Sequence, residues 1–128
     1  MTGLTFDWDD VSLADNKVVE GLQLLTTLFS IEQIWIRTSS SKTGMHVMIA
    51  NLVWDETTGK SQLYPLHDAF RSQMQYRHQF VDFGLECSGR LISDTIRRTT
   101  TLQTSRVFGI KNGNRSDEWI SCIEVLNT

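Results

Sequence analysis

The sequence predicts one α+β domain in which an antiparallel β-sheet carries its helices on a single face. Two observations lead to this class. Segments with alternating apolar residues and segments with helical spacing follow one another in the order β, α, β, β, α, β, with extra strands after them. The chain is 128 residues long, which is enough for one core and too few for a second. We therefore treat 1–128 as one domain.

The first strand and the first helix are marked by their apolar spacing. Alternation places Phe6 and Trp8 on one face of a strand. The segment 12–29 then has apolar residues four, three and four positions apart, which predicts a helix. These residues are Val18, Leu22, Leu25 and Phe29. Asp10 or Ser12 is of the type that caps a helix N-terminus.

The middle of the chain predicts a strand, a hairpin and a second helix. The segments 31–38 and 45–54 are rich in β-formers and are joined by a Ser/Gly-rich loop. A turn at 55–60 closes a hairpin after them. Helical spacing then predicts a helix over about 67–83, which Gly84 ends.

The last third of the chain predicts more strands. The segments 90–98 and 105–111 are β-like, the tight turn Asn112-Gly113-Asn114 follows, and the apolar run 119–126 comes last. A βαββαβ order is typical of the ferredoxin-like or RNA-recognition-motif-like (RRM-like) sheet, which has both helices on one face and leaves the other face open.

Polar residues of three strands fall on that open face. The apolar residues that alternation places under the helices are Phe6, Trp8, Ile34, Ile36, Val47 and Ile49. The side chains of Asp7, Asp9, Arg37 and His46 then emerge together on the opposite face.

The acidic pair at the start of the chain suggests a metal site. Asp7 and Asp9 lie two residues apart on a strand, and their carboxylates repel each other unless a cation lies between them. Strands also disfavour Asp. The alternative is that both carboxylates are merely solvated at the mouth of a loop.

Charge is segregated along the chain. The net charge is −3 overall, but residues 1–36 carry −5 and residues 90–115 carry +5. A metal-binding acidic end and an anion-binding basic end have this pattern, although it also occurs where two surfaces pair within a fold.

Composition and cysteine spacing exclude several classes of protein. The content of 40% hydrophobic and 21% charged residues is typical of a globular domain. No apolar run approaches the roughly 20 residues that cross a bilayer, and no basic segment followed by an apolar one opens the chain. Cys87 and Cys122 form no C-x-x-C pair, which argues against zinc and for small buried residues. We expect a cytoplasmic protein with no membrane partner.

The polar residues also carry a resemblance to a known family. Asp7-Trp8-Asp9 after an apolar start, then a helix, then a Ser/Gly-rich loop leading to Gly44-Met45-His46, resembles the core of the archaeo-eukaryotic primase, or primase-polymerase, superfamily. That family has a D-x-D motif ending a strand, a second motif of a small residue, any residue and His, and a third motif that is one Asp on a later strand. Asp94 matches the third motif best, and Asp82 is the alternative.

The resemblance implies a DNA primase or polymerase-like nucleotidyltransferase that extends or starts a primer on single-stranded DNA. It implies two divalent ions, Mg²⁺ or Mn²⁺, which activate the attacking hydroxyl and neutralise the leaving pyrophosphate, held by carboxylates. The implied catalytic and metal-binding residues are Asp7, Asp9 and Asp94. The implied nucleotide-binding residues are Arg37, Ser41, Lys42 and His46, with the amides of the loop 39–44. The implied nucleic-acid contacts are Arg97, Arg98, Arg106 and Lys111.

The implied partners are nucleoside triphosphates and a single-stranded DNA template with its primer. Related primases carry a sizeable α/β portion ahead of the first motif, whereas Asp7 lies near the start of this sequence. We therefore expect self-association or a replication-protein partner to complete the grip on the template.

Three alternatives remain open. A non-catalytic RRM-like module of a replication complex would stack bases on exposed aromatic residues, for which Trp35 is the candidate. A rolling-circle nickase would need a pair of neighbouring histidines and a tyrosine nucleophile, and neither Tyr64 nor Tyr76 is well placed. His46 would otherwise be a structural histidine, while His67 and His78 are predicted on a helix surface.

Overall fold

The computed structural model describes residues 4–39, 42–66, 70–81, 84–85, 92, 110–111 and 114–126. Its strands are β1 (Thr5–Asp9), β2 (Ile34–Thr38), β3 (Gly44–Asp55), β4 (Lys60–Pro65), β5 (Ile110–Lys111), β6 (Asn114–Arg115) and β7 (Ile120–Ser121). Its helices are α1 (Asn16–Leu28), α2 (Phe70–Val81) and α3 (Cys122–Leu126), and a 3-10 turn covers Ile31–Gln33. The class is mixed α and β, as predicted. A further strand, β4, lies between β3 and α2, so the order up to α2 is β, α, β, β, β, α rather than the predicted β, α, β, β, α.

The main sheet has five antiparallel strands around the long strand β3. The order is β1-β3-β2-β7, and β4 also pairs with β3. The strands β1 and β4 follow one another along the same side of β3, because Ile49 donates its N–H to the carbonyl of Leu4 and accepts from the N–H of Leu66. The opposite side of β3 pairs with β2 as far as Ile49.

The core lies between one face of this sheet and the helices. The six strand residues predicted to lie there are at most 1% exposed: Phe6, Trp8, Ile34, Ile36, Val47 and Ile49. Helix α1 contributes Leu22 and Leu25, and α2 contributes Phe80, whose ring lies 5.3 Å from the ring of Trp8. The prediction of which face is buried is confirmed. The indole Nε1–H of Trp8 is buried without an acceptor in the described structure, which costs about 1–3 kcal/mol.

The prediction for the start of α1 is wrong. The residue before the helix is Asp15, not Asp10 or Ser12. Asp10 has a left-handed φ of 56°, and the Asp15 carboxylate accepts a hydrogen bond from the backbone N–H of Ser12. The segment between strand and helix is therefore a separate turn closed by its own side chains, a conformation that Asp and Ser favour.

Boundaries elsewhere also differ from the predictions. The segment 31–33 is a 3-10 turn rather than strand, and the final apolar run is mainly helix α3 after the short strand β7. Ile92, predicted on a strand, is helical and 62% exposed. The strands β5 and β6, on either side of the predicted turn, pair antiparallel, while residues 112–113 of that turn lie outside the described residues. A short apolar run fits a strand or a helix equally well, so tertiary packing decides between them.

The second face of the sheet is less open than predicted. At the centre of β3, His46 is 6% exposed, Met48 is 7% exposed and Ala50 is fully buried. Beyond Ala50 the strand leaves the sheet and runs with β4 as a two-stranded arm whose side chains are mostly exposed. None of the helices in the described segments has the length and apolar character that a membrane span requires.

Candidate functional site

Three predicted site residues form one row across three neighbouring strands. In the antiparallel register, Asp7 of β1 and Arg37 of β2 are both directly opposite His46 of β3. Directly opposed residues share a face, and this face is the one that points away from the core. The prediction that these side chains converge on the second face of the sheet is confirmed.

The imidazole of His46 lies between a base and an acid. The guanidinium Nε–H of Arg37 donates to Nδ1 of His46 over 3.1 Å, and Nε2 of His46 lies 4.0 Å from a carboxylate oxygen of Asp7. Because a guanidinium only donates, Nδ1 is the accepting nitrogen of the ring. A neutral imidazole therefore carries its proton on Nε2, on the side of the carboxylate, and offers it to an acceptor there.

The surroundings keep this imidazole neutral. Burial, together with a smaller effect of the charge of Arg37, lowers the pKa of His46 from 6.5 to about 4, and the charge of Asp9 acts in the opposite direction. The direction follows from the cost of a cation in a buried site beside another cation. Burial also lowers the pKa of Arg37, which stays charged because a guanidinium does not lose its proton in proteins.

Asp9 belongs to the same group by position and by its electrostatic effect on His46. It lies two residues beyond Asp7 on β1 and directly opposite Gly44 on β3. A Cβ at Gly44 would lie 2.6 Å from the backbone oxygen of Trp8. Only glycine therefore lets β3 pass this close to the strand that carries both carboxylates, which gives a physical reason for the small residue of Gly44-Met45-His46.

Access to the cluster is uneven. The side chain of Asp7 is 33% exposed, whereas that of His46 is 7% exposed. Arg37 is covered by the indole ring of Trp119, whose centroid is 4.2 Å from the guanidinium carbon, a cation–π contact. A ligand would reach the group from the Asp7 side rather than over Arg37.

The loop that leads into β3 is held by backbone hydrogen bonds and by an ion pair of Lys42. Lys42 has a left-handed φ of 62°, and its ammonium pairs with Asp117 over 2.5 Å, both side chains being more than half exposed. The N–H of Ser39 is bonded to the carbonyl of Gly44, and the N–H of Lys42 to that of Ser39. These two amides close the turn. That Lys42 and the amides of the loop 39–44 hold phosphate stays a prediction.

The remaining predicted residues lie outside the described part of the chain or without a described side chain. Outside it are Ser41, Asp82, Asp94, Arg97, Arg98 and Arg106, together with His67 and Cys87. Lys111 lies on β5, and its side chain is not described. Of the others, Cys122 is buried and free, and His78 is exposed on α2, both as predicted.

Within the described residues, no three groups from His, Cys, Asp and Glu converge closely enough to hold a metal ion. The carboxylates of Asp7 and Asp9 are nevertheless a suitable donor set for Mg²⁺, which proteins commonly bind through one or two carboxylates, with water and substrate phosphate as the other ligands. The residues present therefore fit such an ion together with a phosphate ligand.

The sequence does not predict the positions of two tryptophans on the second face. It places Trp119 only in an apolar run, whereas the structure shows its ring over Arg37. Trp54 was placed at the end of a strand, yet it is 61% exposed on the arm. In the sequence, Trp54 lies beside a turn and two residues after Leu52, so alternation places these two side chains on the same face of the strand. Nothing local signals that Trp119 reaches Arg37, because that contact spans most of the chain.

No protein-family model, curated protein or solved structure matches this chain. The resemblance to primase-polymerases therefore stays a prediction from the two motifs and from the side chains that they contribute.

Proposed function

We propose that this domain is a metal-dependent nucleotidyltransferase of the primase-polymerase type that adds nucleotides on a single-stranded DNA template. The proposal depends on one observation. Asp7, Asp9 and His46, taken from motifs more than 30 residues apart in sequence, lie on adjacent strands of one face, with His46 Nε2 4.0 Å from Asp7. Had His46 faced the helices, the match of motifs would have been coincidental.

The strand order supports the finer fold proposal. The strand β1 lies beside β3 rather than β2, and each of these neighbours is antiparallel. A βαββαβ chain in the ferredoxin-like or RRM-like arrangement brings its first and third strands together in this way. We propose that the strand which would complete this order lies on the side of β1 opposite β3, where no strand of the described residues pairs.

Each described residue has a distinct role in the proposal. Asp7 and Asp9 would hold Mg²⁺ or Mn²⁺, which supplies activation of the attacking hydroxyl and neutralisation of the leaving pyrophosphate. The Nε2–H of His46 donates to a phosphate oxygen of the triphosphate. Arg37 is a positioning residue, because its bond to Nδ1 fixes which ring nitrogen carries the proton. Asp94 remains the proposed third carboxylate.

The proposal is tested by incorporation of labelled nucleotide on a primed single-stranded template with Mg²⁺ or Mn²⁺. We expect activity in the wild type and its loss in Asp7→Asn and Asp9→Asn, with folding retained because a repulsive pair is relieved. Asp10→Asn is the matched control, since Asp10 is exposed and lies just beyond the end of β1, and Asn tolerates its φ of 56°. Equal incorporation by all three variants would refute the proposal.

A second candidate is a non-catalytic nucleic-acid-binding module on the same sheet. The burial of His46 and the cover of Trp119 over Arg37 favour it, because a buried imidazole bonded to a covered guanidinium can serve structure without binding a nucleotide. Trp35, the predicted stacking residue, is partly buried and donates its indole N–H to the carbonyl of Ala50.

Thermal shift separates the two candidates. A catalytic site is stabilised by nucleoside triphosphate with Mn²⁺, by about 2.7 kcal/mol at a ligand concentration 100 times Kd, and Asp7→Asn removes this stabilisation. A non-catalytic module responds to an oligonucleotide and ignores the metal. Stabilisation by oligonucleotide alone would favour the second candidate.

A further inference from the structure

The arm formed by the outer part of β3 with β4 exposes an unusual amount of apolar surface. Its large side chains Leu52, Val53, Trp54 and Tyr64 are 54%, 45%, 61% and 45% exposed. A two-stranded ribbon has marginal stability by itself in water, and exposed Trp and Tyr are enriched where proteins bind one another. We propose that this arm is the interface through which two copies of the chain form a symmetric dimer.

The outer edge of the arm has hydrogen-bonding groups to offer a partner. In the part of the chain that the structure describes, no strand pairs with the side of β3 from Asn51 to Asp55 that faces away from β4. Ile49 directs its N–H and C=O toward β1 and β4. Alternate residues point the opposite way, so Leu52 and Trp54 present their backbone groups at the free edge. Lys and Pro, which protect natural edges, are absent from 51–55, and the single charged residue there is Asp55 at its end.

This edge is complementary to itself. In antiparallel pairing about a twofold axis at Val53, Leu52 of one copy lies directly opposite Trp54 of the other. Both residues point their backbone groups outward, so the pairing forms about four hydrogen bonds. Asn51 then lies opposite Asp55, and no like charges meet. Self-complementarity of this kind is what a closed twofold interface requires.

A cleft beside the edge provides room for the tryptophan of the partner. It has a volume of about 510 Å³ and is lined by Trp35, Leu52 and Ile123 together with polar side chains of 30–33, Asn51 and Ser121. The proposed register puts Trp54 of the second copy beside Leu52, at the wall of this cleft. Two of the residues that line the cleft, Gln33 and Asn51, are hydrogen-bonded to each other through their side chains. In the proposed register, Asp55 of the partner lies opposite Asn51, and the partner strand ends there.

The two tryptophans supply part of the area that a dimer requires. Each buries at most about 150–250 Å², so the pair gives about 300–500 Å² of the roughly 1,000 Å² that a specific interface buries. In the proposed dimer, Leu52, Val53 and the cleft walls supply the rest. Nucleic acid fits the arm less well, because 50–65 carries Asp55 and Glu56 against Lys60 alone, and nucleic-acid sites are basic. The inference does not depend on the proposed function.

Sedimentation equilibrium of the full chain, from about 1 to about 200 µM, tests the proposal. We expect the wild type to dimerise, and Val53→Lys to be monomeric because the two substituted residues meet at the axis. Trp54→Ala should raise the dissociation constant at least tenfold, as a central aromatic contact does. Leu13→Lys is the matched control, since Leu13 is a similarly exposed apolar residue, 40% accessible, in the turn before α1, and it should leave the dimer intact.

A charge-rescue experiment makes the register itself falsifiable. Val53→Glu should also be monomeric alone, and an equimolar mixture with Val53→Lys should recover the dimer, because opposite charges then face each other at the axis. A wild type that stays monomeric throughout the range would overturn the proposal and assign the edge to another partner. A dimer that survives Val53→Lys would overturn it as well, because its interface would lie elsewhere.

Discussion

The environment of His46 predicts a measurable dependence of stability on pH. Its pKa is about 4 in the folded protein against 6.5 for an ordinary histidine. The unfolded chain therefore binds more protons than the folded one between these two values. The resulting stability is fully present above pH 6.5 and is lost as the pH falls toward 4.

The magnitude follows from the two pKa values. The full difference corresponds to about 3 kcal/mol at most, and the part lost between pH 7.5 and pH 5.0 is about 2 kcal/mol. This is a large fraction of the roughly 5–15 kcal/mol that stabilises an ordinary domain. Because the side chain of His46 is only 7% exposed, solvent screening removes little of it.

Urea denaturation of the wild type and of His46→Gln at several pH values isolates this contribution. All other titrating groups are common to both proteins, so the wild type should lose about 2 kcal/mol more than the variant between pH 7.5 and pH 5.0. His78→Gln, a change on the exposed face of α2, is the control and should behave as the wild type. Parallel pH profiles for the wild type and His46→Gln would show that folding does not lower the pKa of His46.

Three further changes test the packing around the site. Gly44→Ala should destabilise the protein by about 1–3 kcal/mol or more, measured by urea denaturation, because its Cβ meets the backbone oxygen of Trp8 at 2.6 Å; an unchanged midpoint would contradict the close approach of β1. Phe80→Ala, which removes a fully buried ring, should cost about 3–5 kcal/mol and lower the melting temperature accordingly, whereas a loss below about 1 kcal/mol would show that the ring is not in the core. Asp117→Asn should change stability by less than about 1 kcal/mol, because its pair with Lys42 is exposed; a larger loss at both low and high salt would show that this pair is structural.

The buried face and the convergence of the site were predictable because both depend on alternation alone. On a strand, Phe6 and Trp8 must face one way and Asp7 the other. Once the hairpin pairs β2 with β3, the face of His46 is fixed by that of Val47. The convergence of Asp7, Arg37 and His46 therefore required only the correct assignment of three strands and of the buried face.

What the sequence did not predict depends on contacts between distant segments. Trp119 lies over Arg37 although 81 positions separate them in the numbering, and Lys42 pairs with Asp117. The arm was also missed, because alternation on Leu52 and Trp54 looks the same whether a sheet continues or the strand leaves it. Local patterns specify the face of a residue but not what covers it.

A crystal structure with Mn²⁺ and a non-hydrolysable nucleoside triphosphate would show whether Asp7, Asp9 and His46 bind both together. We predict anomalous density for manganese between the carboxylates of Asp7 and Asp9, and a phosphate oxygen within hydrogen-bond distance of His46 Nε2. Manganese and nucleotide bound elsewhere, with Nε2 of His46 still beside Asp7 and in contact with no phosphate, would show that these residues do not form a nucleotidyltransferase site.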